Sequence, residues 1–421
     1  MSNLGIAILF IIFTINCSFS SAQSIHCQLK GTVVNRESKY VKLMPETEDP
    51  RFEGISIPIE NNSFAYNLEY PEILKFKLIF QDELERGAMQ PIYFFPDSSL
   101  ILFTLHDNQF FTENRIMGGS LNRQMIVFNT EVDSAFSPMF KPYYKLMDSL
   151  WNVDAYFSEE VKAINKLLKE EKNDQERGAL YHERDNLETS GRYYSTEASN
   201  LHMTLDSIKR IQMYWINDQL QKNINLASYS YLYNLLTNYK QNIQVLDIPF
   251  ILSIYPLYKE KFPAHTYTVK IGEMLNAINK AKVGGHFIDF AASTADGQLV
   301  RISDSIKGKI ALINLWASWC GPCRGLGKSM IPVYEKYKHK EFVIIGVANE
   351  YKNKNAFLTA IKNDQYPWLN LIELNNANGI WDKYNIAGSG GCTYLIDKDG
   401  TIIAIHPDAK QLEEILNELL N

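Results

Sequence analysis

Apolar residues along this chain change their rhythm twice. From His26 to about Met117 they fall in short runs: Lys30–Val34, Gly54–Ile59, Leu74–Phe80, Ile92–Phe95 and Leu100–Leu105. Clusters of Asn, Asp, Pro and Gly separate them, which predicts strands, and several short strands at fairly regular spacing predict a small β-sandwich. Gly118, Gly119 and Ser120 then mark a turn and the end of that style. Between Leu121 and Ala281 apolar positions recur at three- and four-residue steps, as in Leu146, Leu150 and Val153 or Leu201, Leu205 and Ile208. That period predicts helices. Prolines are rare there, with Pro249, Pro256 and Pro263 near its end, and tyrosines are frequent, among them Tyr229, Tyr231, Tyr233 and Tyr239. A tyrosine-lined groove for polypeptide and ordinary packing between helices, with hydroxyls at the rim, are both compatible with this pattern.

The last third alternates strand and helix. Lys309–Trp316 is a nearly continuous apolar strand, a helix opens at Gly321 and runs to about Tyr337, and Phe342–Val347 is a second buried strand. A helix is expected near Ala356–Lys362, then two strands, Thr393–Ile396 and Thr401–Ile405, about the Asp399-Gly400 turn, and a closing helix over Gln411–Leu420. Strands alternating with helices and ending in a hairpin predict a mixed α/β sheet covered on both faces.

Composition alters this picture little. At 421 residues the chain exceeds one compact core, so two or three domains are expected. A hydrophobic content of 46%, a charged content of 21% and a net charge of −6 describe a globular protein without the concentrated Lys and Arg of a nucleic-acid binder. The mixed charges from Lys166 to Arg184 read as the wet face of a helix. Leu4–Phe13 is an apolar stretch too short to span a membrane, followed by polar residues and Ser20-Ser21-Ala22. This is the pattern of a signal peptide cut after Ala22, although its start carries no Lys or Arg. Cys17 sits in a poor setting for lipid attachment. Export is the expectation.

Of five cysteines, Cys17 would leave with the signal, and Cys27 and Cys392 stand alone. Cys320 and Cys323 form the close pair, in Trp319-Cys320-Gly321-Pro322-Cys323, where strand gives way to helix. Thiolate, not thiol, attacks disulfides, and a free Cys with a pKa near ~8.5 is mostly protonated at neutral pH. Unpaired N–H groups at a helix start favour the thiolate, and Pro suits the first helical turn. Cys320 is therefore expected to be the exposed nucleophile and Cys323 the more buried resolving thiol. Half of a zinc site would need a second Cys or His pair, which neither Cys27, Cys392 nor the eight scattered histidines supply at usual spacing. A purely structural disulfide is the other alternative. No cofactor or metal is implied.

The segments ALINLWASWCGPCR, FVIIGVANE and KYNIAGSGGCTYLIDKDGTI resemble the thioredoxin superfamily, and in particular the TlpA- and ResA-like envelope thiol–disulfide oxidoreductases. The resemblance covers roughly Val283 to Asn421; a looser one links the upstream regions to relatives with an N-terminal domain of unknown function. It implies that Asn314 stands where thioredoxins place a buried Asp, and that Glu350 is an active-site acid modulating the Cys323 proton; an exposed loop carboxylate is the alternative for Glu350. Leu326 and Lys328 stand where many relatives carry Glu and Pro, and Pro332 comes a turn later. Gly391 occupies the place of the family's cis-proline, so its loop is expected to be trans and differently shaped. Cys392 beside it is either a small apolar residue, a third redox thiol or a metal ligand.

The expectation is thus a signal peptide over 1–22, a β-sandwich over 23–118, a helical domain over 119–281 and a thioredoxin-like domain over 282–421. Cys320, Cys323 and Glu350 are the candidate catalytic residues, and Trp319, Gly391 and Cys392 the candidate substrate contacts. Partners are exported proteins with disulfides or thiols, and a reductant in that compartment implies a membrane-embedded electron donor. An envelope scaffold with an accessory thioredoxin-like domain, or a disulfide isomerase or oxidase, are the competing functions.

Overall fold

The structure is a computed structural model, and it describes residues 24–51, 54–238, 245–386 and 390–420. The expected signal peptide, with Cys17, lies outside the described residues, as does Tyr239.

The N-terminal region forms two four-stranded sheets. One orders β4 (Ser63–Tyr70), β1 (Ile25–Val34), β7 (Leu100–His106) and β8 (Arg115–Met117). The other orders β3 (Ile55–Pro58), β2 (Tyr40–Pro45), β5 (Phe76–Phe80) and β6 (Ile92–Phe94). Alternation makes them strands: Ile101, Phe103 and Leu105 of β7 are buried while their neighbours reach outward. Phe94 of β6 meets Phe103 of β7 edge-on at 5.0 Å, so the sheets share apolar contacts. Strands β2 and β4 were not expected from the apolar runs, because Lys42, Asn67 and Glu69 interrupt them at outward positions. A short helix, α1 (Gln81–Arg86), follows β5.

Helices then run from α2 (Ser120–Asn152) through α3 (Glu159–Glu170), α4 (Asp174–Thr189), α5 (Thr196–Lys222), α6 (Leu226–Thr237) and α7 (Ile248–Lys261) to α8 (Thr266–Lys280). Helix α2 continues through Pro138 and Pro142, and α7 through Pro256. Tyr229 and Tyr233 are core residues: Tyr229 stacks on Tyr258 at 4.6 Å and donates to Thr268 Oγ1, and Tyr233 lies against Tyr267. Tyr267 in turn accepts a bond from Lys75 N and donates to buried Glu46, joining the helices to the N-terminal strands. For these two tyrosines, packing replaces the groove.

The C-terminal region is a seven-stranded mixed sheet ordered β10 (Leu299–Arg301), β9 (Ala291–Ser293), β13 (Leu369–Leu374), β12 (Phe342–Glu350), β11 (Ile310–Trp316), β14 (Cys392–Ile396) and β15 (Ile402–Ile405). Strand β11 is buried on both faces. Its odd positions, such as Ile313 and Leu315, join a core with α9 (Ile302–Ile306) and α12 (Ile380–Lys383). Its even positions, such as Leu312 and Trp316, face α10 (Gly321–Tyr337), α11 (Asn355–Asp364) and α13 (Ala409–Leu420). Gly400, at φ 93°, turns the β14–β15 hairpin. This mixed α/β sheet stands where the thioredoxin-like domain is expected, preceded by N-terminal sheets and a helical middle. No helix among the described residues is long and apolar enough to cross a membrane.

Candidate active site

Strand β11 delivers the chain to the start of α10, where Cys320 is the N-cap and Pro322 lies in the first turn. The Cys323 N–H points at Cys320 Sγ at 3.3 Å, and the two sulfurs are joined in a disulfide. Both cysteines are half-buried, and Cys323 lies against the core that contains Trp316 and Leu326. One of the orphan N–H groups of the helix start, that of Cys323, thus points at the sulfur expected to carry the negative charge once the pair is reduced.

The loop before β14 closes the site from the other side. A Cβ built on Gly390 would come 2.5 Å from Cys320 Sγ and 3.2 Å from Cys323 Sγ. Bare backbone therefore lies against both sulfurs, which a side chain would displace. Gly391 faces elsewhere: its Cβ would fall 1.9 Å from Leu315 O, so this position is glycine because β14 runs hard against β11. Sequence reasoning chose Gly391 and missed Gly390; the signal was the Gly-Gly pair itself.

Cys392 is not brought to the dithiol face. It pairs in register with Leu315 and packs with Leu315, Tyr384 and Tyr394 in the core on the far side of the sheet from α10. Successive strand residues point to opposite faces, so Thr393, not Cys392, shares the α10 face with Asn314. The expectation of a substrate-contacting or redox Cys392 is corrected to a packing one. Among the described residues no group of three or more His, Cys, Asp or Glu side chains is gathered to hold a metal. Asn314 is buried and sits in register between Thr393 and Gly346.

Glu350 ends β12 and is only 2% exposed, which removes the reading of a loop carboxylate. Ser318, two residues before Cys320, donates to it twice, from N to Oε1 and from Oγ to Oε2, both at 2.8 Å. Burial pushes the Glu350 carboxyl above its ordinary range, and the Ser318 bonds pull against that without cancelling it. A carboxyl that holds a proton more tightly than usual is tied to the segment that leads into Cys320.

Helix α10 is anchored by the positions that depart from the family pattern. Leu326 is buried, and Lys328 Nζ lies 3.2 Å from Asp364 Oδ1 at the end of α11. Arg324 binds the same carboxylate in bidentate fashion, at 2.6 and 2.7 Å. Pro332 remains inside the helix.

Trp319 is 46% exposed beside Cys320. The Arg51 guanidinium, from the turn between β2 and β3, lies 4.5 Å from the Trp319 ring centre and 4.5 Å from that of Tyr351. Nothing in the sequence around position 51 marks this contact.

The family model described as AhpC/TSA matches residues 283–405. A ResA thiol–disulfide oxidoreductase of Bacillus cereus is 30% identical over 127 residues, 30% of this chain and 69% of that protein. The thioredoxin-like protein YneN of Bacillus subtilis is 30% identical over 131 residues, 31% of this chain and 75% of its own. Among solved structures, the thioredoxin domain of a Bacteroides vulgatus thiol–disulfide oxidoreductase aligns at 23% identity and a TM-score of 0.31, over 33% of this chain and 99% of that one. A strand-to-helix dithiol on a mixed sheet, with these sequence relatives, defines a thioredoxin-superfamily oxidoreductase. Through its C-terminal third the chain belongs to the TlpA/ResA-like thiol–disulfide oxidoreductases.

Proposed function

We propose that this protein is an exported reductant that transfers electrons from Cys320 and Cys323 to disulfides of other exported proteins. The observation that carries the reading is the Cys323 N–H aimed at Cys320 Sγ at a helix start, with the Gly390 backbone laid against both sulfurs. The Cys320 thiolate attacks a substrate disulfide, the substrate S–S bond breaks, and the departing thiolate takes a proton. Cys323, relieved of its proton, then attacks Cys320 Sγ and releases the second substrate thiol. Two electrons have moved to the substrate, and the protein is left with a Cys320–Cys323 disulfide. Glu350 is the group we assign to the Cys323 proton. Reduction of the spent pair calls for an electron donor in the membrane.

We further read residues 1–22 as the export signal, the two N-terminal sheets as a sandwich over 23–118, and the helical domain as 119–281. Trp319 and the Gly390 backbone form the substrate contact, with Gly391 seating that loop against Leu315.

Redox titration of the mature chain against defined thiol buffers tests the direction of flow. A potential below about −250 mV is expected, and one above about −200 mV would instead favour an isomerase or oxidase. Cys392→Ser is expected to leave the potential in place, in keeping with its position across the sheet. Cys320→Ser is expected to abolish reduction of a model disulfide; retained reduction would sink the proposal, and an intact cellular role for that variant would favour a scaffold.

A further inference from the structure

A side chain of the N-terminal region, that of Arg51, lies on the ring next to Cys320. Arg51 lies in the turn between β2 and β3, and Asp49 holds its guanidinium in a fixed plane through Nε at 2.9 Å and Nη2 at 2.6 Å. That plane meets two rings of the thioredoxin-like domain, Trp319 next to Cys320 and Tyr351 next to Glu350, at 4.5 Å each. The two rings are themselves stacked, 6.3 Å apart at 29°. Trp319 leads into the nucleophile, is close to half exposed, and is held by a residue from another domain.

We propose that Arg51 is a positioning residue for substrate docking: by holding Trp319 and Tyr351, it makes the rim of the dithiol a surface built from two domains, suited to a polypeptide running alongside its own disulfide. The inference rests on the reading of the dithiol as a reductant. The chemistry names the occupant, because a substrate disulfide must lie on Cys320 and its flanking chain then crosses Trp319. A small disulfide reaches Cys320 without covering that rim. A guanidinium over an aromatic face contributes through its charge and its planar fork together, and Lys keeps the charge alone.

The test compares native protein, Arg51→Ala and Arg51→Lys in dithiothreitol-driven reduction of insulin and, after pre-reduction and removal of dithiothreitol, in single-turnover reduction of 5,5′-dithiobis(2-nitrobenzoate), whose second-order rate constant stands for kcat/KM. For insulin, Arg51→Ala is expected to raise KM about fivefold while kcat moves less than twofold. The ratio of kcat/KM for insulin to that for the small disulfide should fall by the same factor, and Arg51→Lys should recover part of it. An unchanged insulin KM, or an equal loss on both substrates, overturns the proposal. Acrylamide quenching supplies a readout independent of turnover: the Trp319 contribution, obtained by difference from Trp319→Phe, should become more accessible in Arg51→Ala. If native protein reduces neither substrate, the reductant reading fails, and the quenching result still decides whether Arg51 positions Trp319.

Discussion

Glu350 carries a cost that its neighbourhood only partly offsets. Its folded pKa is raised by burial, so between the ordinary value of 4.5 and the raised one the native state holds a proton that the unfolded chain releases. Its contribution to stability is therefore present at low pH and declines as pH rises through that window. Glu350→Gln keeps an acceptor for Ser318 N and a donor for Ser318 Oγ, and removes the charge. We expect the variant to match the native protein in urea melts at pH 4 and to exceed it at pH 7. If Glu350 also manages the Cys323 proton, release of substrate from the Cys320 mixed disulfide should slow about tenfold or more and lose its pH dependence. A stabilised variant with a native rate profile would leave Glu350 a buried structural acid. At this scale the sequence was informative about residue types and less about their directions. Cys320 and Cys323 were legible because their chemistry is completed within one helical turn. Gly390 and Gly391, adjacent in sequence, could not be assigned to the sulfurs and to Leu315 without knowing how the loop turns.

Helix α10 shows what supports the dithiol at the level of an element. Burial alone would push the Asp364 carboxyl up, but the hydrogen bonds and charges of Arg324 and Lys328 outweigh it and hold the carboxyl below its ordinary range. A depressed folded pKa contributes stability that is present above the ordinary value of 3.8 and lost as pH falls through the folded pKa. Asp364→Asn should therefore cost roughly 2 kcal/mol at pH 7, less than a fully enclosed pair because both cations are partly exposed, and less at pH 3 than at pH 7. Equal losses at the two pH values would show that shape and not charge anchors the helix. The strand and helix periods of this region were legible, down to the Asp399-Gly400 turn. Strands β2 and β4 were not, since single-face burial leaves only alternate positions apolar and a Lys or Asn between them breaks the run. The substitution of Leu326 and Lys328 for the family's Glu and Pro was visible as a departure; that Lys328 and Arg324 converge on Asp364 was not.

Across the whole molecule, the dithiol helix is enclosed by parts of the chain that a motif search would treat as separate. Helix α4 crosses α10 so closely that a Cβ on Gly178 would lie 2.9 Å from Gly325 Cα, only two residues beyond Cys323. Lys270 of α8 binds Asp382 of α12 at 2.9 Å, and Arg51 covers Trp319. The sign of a single substitution tests this docking. In a helix free of neighbours, Gly178→Ala would gain about 1 kcal/mol from propensity alone. Against the α10 backbone it should instead lose stability, by about 1–3 kcal/mol, with faster amide exchange in α4 and the first turns of α10. A gain in stability would show that α4 leaves α10 at little cost.

The chain by itself determined the rhythm of its elements and the identity of its reactive pair, because periodicity, turn chemistry and a helix start act over a few consecutive residues. It also determined that the pair lies on an α/β domain following strands and helices of another kind. Only the tertiary structure decided that Cys392 faces away from the dithiol, since a strand residue's face depends on its pairing register. Only packing between distant segments decided that Arg51 and Gly178 belong to the surroundings of Cys320 and Cys323, because neither a lone arginine in a turn nor a lone glycine in a helix carries any local sign of what it will touch.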